Sequence, residues 1–327
     1  MNMLRLIPAL AIAAALAATP AQAQKIKVGY WTSGFSLGFG TVMEQMKFAE
    51  QEGIDIEWVK FAEVNGPTRA IVPQSIDLAF AAPSTASMSI AADGLPVKIV
   101  LATQIAEAQI VVPAGSSIKS MADLKGKKIG MSPPGSSTHA IVSSVLEGNY
   151  GLKAADYSVV PGNEGRLVQF LQQNEVDAAS IRSVTIAQMS QDVKLTRLAS
   201  VVDEWKKLTK GNAAPILAVT IVHSDYVAKN PEVVAKFIAA TRKALEFGSK
   251  NKDKVAELLQ KAANMKPAGA QAYASQWDGA YMASFEASDV ASLKRMHAIR
   301  KASGAAKSDP PDAAFLTAPY ERSKAFK

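Results

Sequence analysis

Hydroxyls and main-chain amides crowd into one short run, Pro133-Pro134-Gly135-Ser136-Ser137-Thr138-His139. An apolar run at residues 128–131 precedes it and a helical pattern over residues 136–147 follows, so it spans a strand-to-helix turn. The first turn of a helix has N–H groups without internal partners and carries partial positive charge, which suits an anion. The hydroxyls of Ser136, Ser137 and Thr138 add donors, and His139 sits beside them. The plainer reading is that Ser136 caps the helix and the next three residues form a solvated first turn.

Catalysis has little to draw on. His139, His223 and His297 are widely separated and lack metal-ligand spacing, there is no Cys, and neither a GxSxG elbow nor a P-loop occurs. No catalytic residue, metal or cofactor is expected. The other polar candidates are binding groups. Trp31 and Thr32 follow a strand at residues 25–30, Asn65 precedes Gly66-Pro67 at a helix start, and Ser84 and Thr85 open another helix. Asn163 stands before a helix at residues 164–173, Glu107 lies between two strands, and Arg182 follows a strand at residues 176–180. A planar guanidinium there can hold a carboxylate or sulfonate. Each has a structural reading too: Ser84 as a cap, Trp31 as packing, Glu107 as a solvated acid, Arg182 as a surface loop residue.

These loops need a scaffold, and the chain reads as strands alternating with helices. Apolar strand patterns cover residues 25–30, 56–61, 76–80 and 97–103, with helices near residues 39–52, from Asn65, and 82–93. The pattern restarts with strands at residues 109–113, 128–131, 157–161, 176–180 and 194–199, and helices near 136–147, 164–173 and 184–190. After a strand at residues 217–223 only helices are expected, at 231–250, 252–263, 269–282, 287–301 and 313–324. Such alternation implies βαβ crossovers and parallel sheets. Ligands then bind beyond the carboxyl ends of the strands, where the candidate loops lie. Two sheet-bearing blocks and a helical tail suggest two lobes, the second inserted into the first. Crossings near residues 104–109 and 212–217 give lobe 1 as residues 24–105 and 218–327, and lobe 2 as residues 106–217.

Residues 1–23 read as a cleaved secretory signal, with Arg5, an apolar run over residues 6–18, and Ala21-Gln22-Ala23. That run is shorter than the ~20 residues a membrane helix needs. Without Cys the exported chain folds without disulfides, as a chain of this size can. The formal charge is +7, or +6 without Arg5, and it is scattered. No basic stripe with interleaved aromatics marks a nucleic-acid groove, so no nucleic-acid partner is expected; the excess mildly favours anionic ligands.

The segments KIKVGYWTSG, IDLAFAAPSTASMSIAADGLPVKIVLATQ, MADLKGKKIGMSPPGSSTHAIVSSVL, NEVDAASIRSVTIAQ and HSDYVAKNPEVVAKFIAATRKALEF resemble the taurine, alkanesulfonate and nitrate branch of ABC-transporter substrate-binding proteins. The resemblance runs to about residue 250 and is weaker beyond. It implies an α/β, type II periplasmic-binding-protein-like clamshell, two lobes joined by two crossover segments, with a C-terminal helical tail. It also implies a periplasmic monomer that captures a small organic anion and delivers it to an ABC permease in the inner membrane. Trp31, Thr32, Ser84, Thr85, Ser137, Thr138 and His139 match the branch's ligand-facing loops. Two departures stand out: the branch often has Trp-Glu-Pro or Trp-Ala-Pro where this chain has Ile181-Arg182-Ser183-Val184, and Ala218 stands where taurine-type members carry an acid. The ligand expected is therefore a carboxylate or sulfonate without an amine. Two rivals share the fold: an enzyme resembling thiamine-pyrimidine-precursor synthases, and the sensing subunit of a membrane receptor.

Overall fold

The computed structural model describes residues 25–189 and 193–326, so the expected signal at residues 1–23 lies outside the described residues. The chain opens with β1 (Lys25–Trp31), α1 (Gly34–Gln45), α2 (Phe48–Gln51), β2 (Asp55–Phe61), α3 (Gly66–Ile71), β3 (Leu78–Pro83), α4 (Ser84–Ala92) and β4 (Val97–Ile105). A second run holds β5 (Gln109–Pro113), β6 (Lys128–Met131), α5 (Ser137–Tyr150), β7 (Ser158–Pro161), α6 (Glu164–Gln172), β8 (Ala178–Ile181), α7 (Ser183–Met189) and β9 (Leu195–Ser200). Next come α8 (Val201–Thr209), β10 (Ile216–His223), α9 (Ser224–Lys229), α10 (Pro231–Lys250), α11 (Lys252–Ala262) and α12 (Pro267–Ser275). The chain closes with α13 (Trp277–Ala280), β11 (Tyr281–Ser284), α14 (Ala287–Ala302) and α15 (Ala318–Ser323).

The strands form two sheets, ordered β11-β4-β10-β3-β1-β2 and β7-β6-β8-β5-β9. In the first, β1 pairs parallel with β2 and β3, whereas β10 runs antiparallel between β3 and β4. In the second, β6 pairs parallel with β7 and β8, and β5 runs antiparallel to β8 and β9. The expected all-parallel sheets are therefore corrected to mixed ones. The reversal arises where the chain passes from one sheet to the other: β4 ends in the first and β5 begins in the second, and β10 returns to lie beside β4. Every residue of β3 and β10 is buried, which explains their largely apolar sequences.

Local departures have physical causes. The helix expected over residues 39–52 is two helices, because Lys47 takes a left-handed backbone, φ +54°, between α1 and α2. The strand expected at residues 76–80 is shifted to β3. The tail is not wholly helical: β11 pairs antiparallel with the free edge of β4, where a continuous helix was expected over residues 269–282. The tail is bound to the first sheet by aromatic rings. Phe39 lies 5.2 Å from Phe80 and 5.5 Å from Trp277, and Phe80 lies 5.9 Å from Phe237. From this tail α12 reaches across to pack on α7 of the second run.

Candidate functional site

A cavity of about 480 Å³ opens where the loops of the two sheets face each other. Trp31 at the end of β1, Asn65 before α3 and Gln104 near the end of β4 wall it on one side; Thr138 on α5, Asn163 before α6 and Arg182 after β8 wall it on the other. The elements point their carboxyl-end loops and helix starts into one hollow, as strand-to-helix turns of open sheets do. The α5 start supplies Ser136, Ser137 and Thr138, all buried. Ser136 is also the cap, its hydroxyl accepting from the His139 N–H at 3.2 Å.

Hydroxyls join the two walls at one edge of the cavity. Ser137 Oγ lies 3.1 Å from Ser84 Oγ and 3.3 Å from Thr85 Oγ1, and accepts from the Thr85 N–H at 3.2 Å. Ser84 donates in turn to the Ile216 carbonyl at 2.6 Å. At another edge Asn65 Nδ2 donates to the Pro134 carbonyl at 3.4 Å, over Gly135. A side chain at Gly135, where φ is +87°, would meet that amide at 2.7 Å. Asn65 Oδ1 is buried with no donor.

Arg182 is buried and its charge is answered within the cavity wall. Its Nη1 donates to Glu164 Oε1 at 2.7 Å, and its own N–H donates to Glu164 Oε2 at 3.0 Å. The guanidinium also lies 5.3 Å from the Phe35 ring, across the boundary between the two sheets. Gly34 makes this approach possible: with φ +53°, an added Cβ would stand 2.8 Å from Arg182 Nη1 and 2.9 Å from the Trp31 ring. Two phenols finish the surroundings, Tyr273 donating to the Gly34 carbonyl and Tyr281 to the Phe35 carbonyl. Burial pushes Tyr273 up to about 12, against the opposing pull of Arg182, and raises Tyr281 well above its ordinary value for the same reason. The other charged wall residues, Glu63 and Arg69, also pair with each other. Among the described wall residues every carboxylate thus has a cationic partner.

The structure brings Trp31, Asn65, Ser136, Ser137, Thr138, Asn163 and Arg182 to this one cavity. Five other expected site residues lie elsewhere. Thr32 is sewn to the end of β2, its hydroxyl and N–H both donating to the Phe61 carbonyl. Ser84 and Thr85 stand behind Ser137. Glu107 holds the start of α7, accepting from the Ser183 N–H and hydroxyl and from Gln109 Nε2. His139 turns its Nδ1 to within 3.3 Å of the Ser132 carbonyl and faces a different cavity. Asn163 and Trp31 have structural bonds besides: Asn163 Oδ1 caps α6 through the Arg166 N–H, and Trp31 Nε1 donates to the Ala62 carbonyl.

Sequence reasoning missed Gln104 and Glu164. Gln104 is buried, donating to Ser36 Oγ at 3.3 Å, and its signal was a polar residue near the end of a mostly apolar strand. Glu164 looked like an ordinary acid in the first turn of a helix; only the fold sets it beside Arg182.

Known proteins share this architecture. The alkanesulfonate-binding protein of Xanthomonas axonopodis pv. citri, solved with MOPS bound, superposes with a TM-score of 0.72 at 19% identity, over 90% of this chain and 96% of that one. The fold is that of the periplasmic binding proteins. A Brucella abortus chain described as a binding protein is 28% identical over 239 residues, 72% of this chain and 70% of its own length. The taurine-binding periplasmic protein of Escherichia coli is 25% identical over 226 residues, 69% of this chain and 67% of its own. The model of the family described as NMT1/THI5 like matches residues 42–254, well over half of the sequence, and the chain therefore belongs to the NMT1/THI5-like family.

Proposed function

We propose that the chain is the exported solute-binding protein of an ABC importer, and that it captures a small organic carboxylate or sulfonate lacking an amine. Residues 24–105 and 218–327 act as one lobe and residues 106–217 as the other; closed on the ligand, they present it to the membrane permease. The protein works as a periplasmic monomer after loss of its signal, and it releases its ligand unchanged.

One observation carries this reading: a single cavity takes Thr138 and Arg182 from one sheet's loops and Gln104 and Asn65 from the other's, with each wall carboxylate already paired. An anion finds the N–H groups of the α5 start there, beside the Arg182 guanidinium that Glu164 holds in place. An ammonium finds no free carboxylate among the described wall residues, and Ala218 stands in the wall where an acid would serve it. Because the donors come from both sides, a bridging anion favours the closed arrangement over the open one, which is how such a ligand shifts the population.

A thermal-shift screen of alkanesulfonates, aliphatic and aromatic carboxylates, nitrate, taurine and pyrimidines tests it. A non-amino sulfonate or carboxylate should raise Tm, bind one per chain and be recovered intact. Preference for taurine or a pyrimidine, or chemical conversion of the ligand, would overturn the reading.

A further inference from the structure

A second cavity, of about 580 Å³, lies on the other side of the Ser84, Thr85 and Ser137 cluster. It too is walled from both sheets' helices: Thr85, Ser89 and Arg300 on one side, and His139, Ser143 and Tyr157 on the other. Pro134 is common to both cavities, and the hydroxyl cluster stands between them. Nothing in the binding reading above uses this second space.

Its chemistry centres on Arg300, in the last turn of α14. The half-buried guanidinium reaches α4, Nη1 donating to the Thr85 carbonyl and to Ser89 Oγ, both at 3.4 Å, while Nη2 donates to the Ala305 carbonyl at 3.2 Å. These are long bonds to uncharged oxygens. Nε is buried and has no acceptor. Burial lowers the pKa of the group. Arg182 in the first cavity is neutralised by Glu164, whereas among the described residues no acid pairs with Arg300. A desolvated cation without a counter-ion is costly, and an anion removes that cost. Hydroxyls of Ser89, Ser143 and Ser144 line the same space; Ser89 and Ser144 donate theirs to the Thr85 and Ala140 carbonyls, whereas Ser143 Oγ accepts from the Tyr157 hydroxyl and keeps its proton to donate. The only acid in the described wall is Glu147, whose like charge favours a compact anion beside Arg300 over a long polyanion.

We propose that this second cavity is a binding site for a small oxyanion, held by the Arg300 guanidinium and the Ser143 hydroxyl. Its walls belong to both sheets' helices, so the bound oxyanion stabilises their closed arrangement and raises affinity in the first cavity by linkage. Oxyanion and transported solute are therefore cooperative ligands at separate sites.

The test uses inorganic phosphate. The mature chain is melted in sodium phosphate and in sodium chloride of equal ionic strength, as wild type, R300K, R300Q and R182Q. At about tenfold excess over its dissociation constant phosphate should raise Tm by ~2–5 °C in wild type and R182Q, less in R300K, and not in R300Q. A general salting effect would appear equally in all four proteins. No shift in wild type, a shift that survives R300Q, or one that R182Q abolishes overturns the proposal. If R300Q does not fold, wild-type crystals soaked in selenate decide: an anomalous peak within hydrogen-bond distance of Arg300 supports the site, and its absence there refutes it.

Discussion

The side-chain hydroxyls of Ser84 and Ser137 meet 3.1 Å apart, one at the start of α4 on the first sheet and the other at the start of α5 on the second. Ser137 Oγ also accepts from the Thr85 N–H, so a single oxygen ties an α4 amide to α5. Both serines are almost wholly buried, so the contact excludes water and marks the edge of the first cavity.

Ser137→Ala should therefore loosen the closed form. It leaves the Thr85 N–H without its acceptor at a cost of about 1–3 kcal/mol, or roughly 5- to 150-fold in affinity for whichever anion the screen identifies. Titration calorimetry reads the affinity and small-angle scattering the compactness of the liganded form; unchanged values in both would remove the latch.

Variants of Glu164 and Arg182 should both lose stability but differ in binding. Arg182→Ala leaves a buried carboxylate unpaired and should cost about 3–5 kcal/mol of stability. Glu164→Gln frees the guanidinium for the ligand, so anion affinity should rise several-fold even as Tm falls. Weaker anion binding in Glu164→Gln would show that the pair, and not the cation, is what the ligand needs.

Acidification should destabilise the protein through His139. Burial holds its imidazole below the ordinary 6.5, so between the unfolded and folded values the unfolded chain binds the extra proton. Stability is full above about pH 7, falls as pH drops through the unfolded value, and this loss stops growing below the folded value. His139→Gln should flatten that limb in melts taken from pH 8 to pH 5. Parallel curves for the two proteins would assign the acid sensitivity to other groups.

Gly34→Ala should damage both stability and binding. The left-handed backbone alone costs about 1–2 kcal/mol for a residue with a Cβ, and the methyl would also push on Arg182 and Trp31. A Tm within a degree of wild type, with intact affinity, would mean that the Arg182 and Phe35 contact is not needed.

Much of the first cavity was legible in the chain. Ser136, Ser137, Thr138, Asn65 and Asn163 lie at strand-to-helix turns whose cap and turn residues are local signals, and parallel pairing sends such turns to one end of a sheet. Direction within a turn was not legible. His139 and Thr138 are neighbours, yet successive helical residues point about 100° apart, and the two side chains face different cavities. Glu107 and Thr32 were engaged by partners outside the cavity that only the folded chain brings within reach.

The sequence by itself determined the alternation of strands and helices, the caps at α5 and α6 and the placing of hydroxyls at the turns, because these follow from periodicity and from bonds spanning a few residues. Only the tertiary structure decided that Glu164 neutralises Arg182, that Ser137 bonds Ser84, and that β11 completes the first sheet. Those pairings join groups from 18 to well over a hundred residues apart, and their energy exists only once packing has desolvated both partners and aligned them.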